Sequence, residues 1–109
     1  MTSFRSDRLS VLLKKTLADI INRDFDPEGA LITITEVDLD QSQSHAKVGV
    51  SIMPKEKTEF IMKKIKSWQG NFQNQLIKKL KMRYVPRIDF FSDEGPDNAA
   101  RIEKLLNNS

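Results

Sequence analysis

The sequence predicts an α+β fold in which a three-stranded mixed sheet carries its helices on one face. Two neighbouring segments, 30–39 and 46–53, are rich in β-branched residues, and the second alternates apolar and polar positions as a half-buried strand does. Three stretches near 6–23, 60–68 and 72–84 show helical spacing of apolar residues. A short apolar strand at 87–91 follows them. The predicted order is therefore α-β-β-α-α-β, with an extra short C-terminal helix.

The first helix and the hairpin follow from their apolar positions. In the helix these positions are Leu9, Leu13, Leu17 and Ile20. The turn-forming run 26–29, Asp-Pro-Glu-Gly, then separates the helix from the first strand. In that strand the apolar phase moves from Ile32 and Ile34 to Val37 and Leu39, which predicts a bulge near Glu36. Because only the polar loop 40–44 joins the two strands, we expect them to pair antiparallel.

Two central helices are predicted between Pro54 and the Val85-Pro86 pair, which ends the second helix beyond Tyr84. Gly70 interrupts the helical spacing, so we place the break there and expect a left-handed or strained backbone at this glycine. On that basis Gly70→Val would destabilise the fold by about 1–3 kcal/mol. A strand–helix–helix–strand connection predicts a third strand parallel to the second, in the sheet order one-two-three.

The aromatic side chains are predicted to serve packing more than base stacking. Phe60, Trp68 and Phe72 lie at the core spacing of the central helices. Phe90 and Phe91 are adjacent in a strand, so their rings should lie on opposite faces of the sheet. Nothing in the sequence resembles the paired aromatic platform of sheets that stack RNA bases.

Length and composition predict one domain spanning residues 1–109, with a single core. The chain has no cysteine, which excludes disulfides, thiolate zinc sites and cysteine nucleophiles. No apolar run approaches the ~20 residues of a membrane span, and the N-terminus lacks the uninterrupted apolar core that is typical of a secretory signal. We therefore expect a cytoplasmic protein that does not bind membranes.

Charge is segregated along the chain. Residues 54–87 contain ten Lys/Arg against two acidic residues, a net charge of +8, whereas residues 1–53 carry −2 and residues 88–109 carry −3. A uniform bias towards lysine would not produce this distribution, and lysine-rich helices without acidic i,i+4 partners are poorly stabilised. The segregation favours a polyanion, nucleic acid first, over simple solvation of helix faces.

The sequence offers no catalytic constellation. His45 is the only histidine and opens a strand among polar residues, and no nucleophile elbow or phosphate-binding glycine loop is present. Asp38 and Asp40 flank a turn, where a solvated loop is favoured over a cation site. We predict no cofactor, no metal and no enzymatic activity. Two alternatives are a protein-interaction adaptor whose basic face meets an acidic partner, and a small nuclease, which the absence of histidine pairs and carboxylate clusters disfavours.

Several short motifs, in order and at matching spacing, make the chain resemble the ribosome-binding factor A family over essentially its whole length. These motifs are Arg5-x-x-Arg8, Asp26-Pro27, Ile32-Thr33-Ile34-Thr35-x-Val37, Ala46-Lys47-Val48-x-Val50 and Arg83-x-Val85-Pro86-x-Ile88-x-Phe90-Phe91-x-Asp93. The resemblance implies a KH-like fold of the second type, αββααβ, with an Ala-x-Gly kink between the central helices. Here the kink reads Trp68-Gln69-Gly70, and Gln73 stands where the family often carries an arginine.

The resemblance also implies a function and its partners. A member of this family binds 16S rRNA in free precursor 30S subunits, but not intact 70S ribosomes, and assists late maturation and 5′-end processing of 16S rRNA, above all in the cold. We expect a monomer. Combined with the basic segment, this gives a predicted RNA-binding set: Arg5, Arg8, Lys63, Lys64, Lys66, Gly70, Asn71, Lys78, Lys79, Lys81, Arg83 and Arg87.

Overall fold

The computed structural model describes residues 4–93, with side chains from Arg8 onward. Its elements are α1 (Phe4–Asp24), β1 (Leu31–Leu39), β2 (His45–Met53), a 3-10 turn (Lys55–Lys57), α2 (Thr58–Ser67), α3 (Gln69–Leu80) and β3 (Arg87–Ser92). The predicted α-β-β-α-α-β order is confirmed. The 3-10 turn was not predicted, and the predicted C-terminal helix lies outside the described residues.

The sheet has the predicted topology. β1 pairs antiparallel with β2, β2 pairs parallel with β3, and β2 is central. The register of the hairpin shifts between Ile34 and Glu36, so the predicted bulge is confirmed. The bulge keeps the apolar residues on both sides of it, Ile34 and Val37, on one face of the sheet.

The helices cover only one face of this sheet. The inward residues of β2 are buried, and Ile88 and Phe90 of β3 join them, while Lys47 and Asp89 on the other face are exposed. Apolar side chains of all three helices complete the core: Leu13, Leu17, Ile20, Ile61, Ile65, Phe72 and Leu76. One face of the sheet is therefore not covered by helices, as predicted.

On this open face of the sheet, side chains from β1 and β3 pack closely over Gly49 of β2. A Cβ atom on Gly49 would lie 2.7 Å from Thr35 Oγ1 and 2.9 Å from Phe91 Cζ, so the half-buried Phe91 ring occupies the space that a side chain would need. The Thr35 hydroxyl donates to Asp93 Oδ2 at 2.8 Å, which links the bulge to the end of β3. Phe90 and Phe91 thus lie on opposite faces, as predicted.

Asp40 organises the turn between β1 and β2. Its Oδ1 accepts hydrogen bonds from the backbone N–H of Ser44 (2.8 Å) and of His45 (3.2 Å). Its Oδ2 accepts from the hydroxyls of Ser42 (3.1 Å) and Ser44 (3.0 Å). Partial desolvation raises the pKa of Asp40, but these hydrogen bonds outweigh it and lower the pKa to about 2 from the ordinary value of 3.8.

Replacing Asp40 with asparagine should flatten the acid dependence of stability. A carboxyl with a depressed pKa in the folded protein stabilises it fully above the unfolded pKa of about 4, and this contribution is lost as the pH falls towards about 2. We expect the melting temperature of the parent to fall over that interval more steeply than that of Asp40→Asn. Asp38→Asn, at an exposed strand position, is the matched control. Parallel melting curves for parent and Asp40→Asn would contradict the role of this carboxylate.

Candidate nucleic-acid interface

The ammonium group of Lys64, one of the predicted RNA-binding residues, makes contacts with other residues of the protein. The Nζ atom donates to the backbone oxygen of Asp26 at 2.6 Å and to Glu28 Oε2 at 2.9 Å, and it lies 5.0 Å from the centre of the Phe25 ring. Lys57 Nζ likewise donates to the backbone oxygen of Glu28 at 2.6 Å. Both lysines thus form hydrogen bonds with the segment between α1 and β1. We therefore leave Lys64 out of the interface proposed below.

The other lysines of α2 project into solvent. Contrary to the expectation that these lysines lack acidic i,i+4 partners, Lys63 lies 3.9 Å from Glu59; both side chains are highly exposed, and such a pair contributes little to stability. Lys66 is exposed on the same helix. Ile61, Met62 and Ile65 are buried, so α2 turns its charged side away from the core.

Five cations that lie close together in the sequence span the end of α3 and the start of β3. We call this group the α3–β3 basic surface: Lys78, Lys79, Lys81, Arg83 and Arg87. All five side chains are exposed, and none makes an ion pair with another described residue. No acidic residue occurs between positions 78 and 88, so this stretch of the chain is uniformly positive.

A polar groove extends the α3–β3 basic surface towards the start of α3. It is lined by Asp24 of α1 and by five residues of α3: Asn71, Asn74, Gln75, Lys78 and Lys79. Gln75 Nε2 donates to Asp24 Oδ2 at 3.0 Å and to Asn71 Oδ1 at 2.8 Å. The structure therefore brings together three predicted residues, Asn71, Lys78 and Lys79, and adds amides that sequence reasoning missed.

The break between the central helices lies at Trp68, within the kink Trp68-Gln69-Gly70 that the family resemblance implies, whereas its placement at Gly70 from helical spacing is wrong. Trp68 has φ −90° and ψ 5°, and it ends α2 and precedes α3. Its backbone N–H donates to the carbonyl oxygens of Lys64 and Ile65, and its own carbonyl oxygen accepts from the Phe72 N–H at 2.9 Å. Gly70 lies in the first turn of α3 without a positive φ, and a Cβ atom there would meet nothing within 4 Å. This position does not require glycine.

We therefore expect Gly70→Ala to stabilise the fold slightly, by up to about 1 kcal/mol, because alanine loses less backbone entropy in a helix. Urea unfolding would measure the change. The comparison variant is Gly29→Ala, at φ +84°, where an added Cβ would also lie 2.9 Å from Lys57 Nζ and should cost stability. Substantial destabilisation by Gly70→Ala would restore a backbone role for this glycine.

α3 ends earlier than predicted, and Tyr84 lies outside it. The helix ends at Leu80, and Lys81 adopts a left-handed conformation (φ 52°, ψ 33°) while its N–H donates to Ile77 at 3.3 Å. Glycine usually takes this capping position, since a side chain there costs about 1 kcal/mol. The six residues that follow Leu80 run outside regular structure to β3, and the Tyr84 side chain is 80% exposed.

Two glutamines hold α3 against β3. Gln73 Nε2 donates to the backbone oxygen of Pro86 at 2.8 Å, and Gln73 Oε1 accepts from the Ile88 N–H at 3.1 Å. Gln69, one turn earlier, donates to the backbone oxygen of Ile88. The amide at position 73 thus has an internal structural task. The only sequence signal for the pair is its i,i+4 spacing on α3.

Of the three aromatic residues predicted to pack on the central helices, two do so. Phe72 is fully buried, and Trp68 lies edge-on to Phe25 with ring centres 5.3 Å apart. Phe90 meets Phe72 at 5.1 Å. Phe60 is 55% exposed, so its predicted burial is wrong. It falls on the solvent side of α2 because Ile61 and Ile65 take the inward positions.

Two residues of the predicted RNA-binding set belong to α1. Arg8 is exposed on α1, and the side chain of Arg5 lies outside the described part of the chain. Among residues 4–93, no group of three or more His, Cys, Asp or Glu is arranged to hold a metal ion. No helix in the same range is long and apolar enough to cross a membrane.

Fold and surface together define a KH-like α+β domain of the second type that carries an unpaired cationic surface at the end of its second central helix. A model of the Ribosome-binding factor A family matches residues 5–106. This match covers nearly the whole chain, and the protein belongs to the ribosome-binding factor A family.

Individual relatives agree with that assignment. The chain is 36% identical to the ribosome-binding factor A of Natranaerobius thermophilus, over 97% of this chain and 82% of the relative, and 38% identical to that of Caldicellulosiruptor bescii, over 94% and 82%. The crystal structure of the Thermus thermophilus factor is similar, with a TM-score of 0.69 and 26% identity over 80% of this chain and 94% of that one. A homology model of the Thermus protein, fitted into a cryo-EM map of its complex with 30S, gives a TM-score of 0.65 and 26% identity, over 77% and 90%.

Proposed function

We propose that this protein binds the precursor small ribosomal subunit through 16S rRNA and assists its late maturation, including 5′-end processing, above all in the cold. The observation that carries the proposal is the α3–β3 basic surface, whose five cations have no partner among the described residues. Unpaired lysine and arginine side chains are suited to phosphates, and they give affinity with little sequence preference. Family membership and the similarity to a factor fitted into a 30S complex support the small subunit as the target.

The proposed mechanism is electrostatic docking followed by a population shift. Neutralising rRNA phosphates releases counterions and holds the protein on the subunit. A bound protein favours one rRNA conformation only by the difference in its affinity for the competing states. Escape from misfolded RNA states slows on cooling, so a factor that biases this choice matters most at low temperature.

The remaining features of the proposal describe a binding protein. Residues 1–109 act as one RNA-binding domain, monomeric and cytoplasmic, without cofactor or metal, on free 30S subunits and not on 70S ribosomes. The protein does not cut RNA itself. Among the described residues His45 Nδ1 lies 3.1 Å from the Ser44 hydroxyl, but both side chains are exposed on the turn between β1 and β2, and the Ser44 hydroxyl also donates to Asp40 Oδ2 at 3.0 Å. The described residues contain no group of three or more His, Cys, Asp or Glu arranged to hold a metal ion.

Sedimentation of the tagged protein would test the proposal. We expect it in the free 30S fraction and not with 70S ribosomes, and we expect depleted cells to accumulate unprocessed small-subunit rRNA, more severely in the cold. Purified protein should leave precursor rRNA uncut with or without divalent metal. Specific cleavage by a clean preparation would indicate a nuclease. Normal subunit profiles in depleted cells at low temperature would instead favour the protein-interaction adaptor.

A further inference from the structure

Tyr84 is unusual among the large apolar side chains of the domain. At 80% exposure it is the most open of those described, and the next, Val11 of α1, is 68% exposed. No hydrogen bond or ring contact ties its side chain to another described residue. A single exposed aromatic is ordinary on a protein surface. Two further observations distinguish this one.

The first observation is that the backbone beside Tyr84 is fixed. Val85 packs against the core, and Pro86 is fully buried. The Gln73 side chain accepts from the Ile88 N–H at 3.1 Å and donates to the Pro86 carbonyl at 2.8 Å. These two hydrogen bonds restrain the backbone of residues 86–88. Tyr84 lies directly before this anchored stretch, so its place on the surface is defined on that side while its ring stays open to solvent.

The second observation is the charge around Tyr84 in the chain. Lys81 and Arg83 precede it and Arg87 follows it, and all three belong to the α3–β3 basic surface. Lys81 keeps its charged side chain at a left-handed position where glycine would be less strained. A flat aromatic face between cations complements a ligand that carries both a flat face and a negative charge, and a nucleotide has both.

We propose that Tyr84 is a stacking platform for one unpaired base of the bound RNA, with the α3–β3 basic surface holding the phosphates on either side. This inference rests on the proposed function and adds the form of RNA recognised. Bases in an A-form duplex are already stacked on their neighbours, whereas a base in a loop, bulge or end offers a free face. The protein should therefore prefer RNA that is single-stranded at the contact.

The test compares a short single-stranded RNA with a duplex of equal length by fluorescence anisotropy. Tyr84→Ala should weaken binding of the single strand by about 5- to 150-fold, the range found for losing one stacked base, and leave duplex binding unchanged. Tyr84→Phe should retain binding within about twofold, because phenylalanine keeps the stacking face. Neither variant should alter the melting temperature or the slope of affinity against salt. Phe60→Ala removes an exposed aromatic from α2 and is the matched control.

Three results would overturn the inference. They are an unchanged affinity of Tyr84→Ala for the single strand, an equal loss on both RNAs, and an equal loss for Tyr84→Phe. In each case salt-dependent binding of RNA by the parent protein would leave the proposed function standing. If the parent bound neither RNA nor subunits, the proposed function would fail and this inference with it.

Discussion

Replacing Lys78, Lys79, Lys81 and Arg83 with glutamine should make RNA binding much less sensitive to salt. Each phosphate contact contributes about 0.7 to 0.9 to the slope of log K against log salt, so four lost contacts should reduce that slope by roughly 3. Near 0.1 M salt this corresponds to an affinity loss on the order of 10²–10³. Filter binding to 16S rRNA between about 0.05 and 0.2 M salt would measure both quantities.

The matched control removes the same charge elsewhere. Lys14, Lys15, Arg23 and Lys47 are all exposed, and they lie on α1 and on the open face of the sheet. If the protein attracts RNA only through its net charge, both quadruple variants should lose slope equally. If the α3–β3 basic surface is the contact, the control should keep most of the parent slope. The folded state should survive in both, since no replaced side chain is buried.

Most of the fold could be predicted because its determinants are periodic. The alternation from Ala46 to Ile52 defines the central strand, and the phase shift between Ile34 and Val37 places the bulge. These patterns arise from burial on one face of an element, and the sequence records them directly. The parallel pairing of β2 and β3 followed from the connection between them, without any contact being known.

The prediction at Gly70 failed because a local preference was read without its tertiary setting. Glycine permits a break, but the chain turns two residues earlier, where the Trp68 ring packs against Phe25 and Phe72. That arrangement depends on Phe25, more than forty positions away in the chain, which no local window contains.

The sequence predicted which segment of the chain is basic, but not which of its charged side chains form an exposed surface. In a net charge taken from the sequence, Lys64 and Lys81 contribute equally. In the structure the Lys64 ammonium lies 2.9 Å from Glu28, whereas Lys81 makes no ion pair among the described residues. The sequence also placed Tyr84 on a helix, whereas the left-handed Lys81 ends the helix before it. Which charges are unpaired is a property of tertiary contacts, so it became visible only in the structure.

Phe72→Ala should be among the most destabilising substitutions in this domain, at about 3–5 kcal/mol. The ring is fully buried, and it is the centre of an aromatic cluster, 6.1 Å from Phe25, 5.6 Å from Trp68 and 5.1 Å from Phe90 between ring centres. Truncation would leave a cavity between α1, α3 and β3, and the neighbouring rings are too rigid to fill it by small rotations. A domain of this size has only about 5–15 kcal/mol of stability, so much of the total would be lost.

Urea unfolding of Phe72→Ala beside Phe60→Ala separates burial from aromatic character. Phe60 lies on α2 and is 55% exposed, so its loss should cost well under 1 kcal/mol. A large difference between the two variants, with the same dependence on urea, would show that the buried cluster around Phe72 stabilises the domain. Similar small losses would contradict that role. Because the Trp68 indole packs against both Phe25 and Phe72, we also expect Trp68→Ala to destabilise the domain.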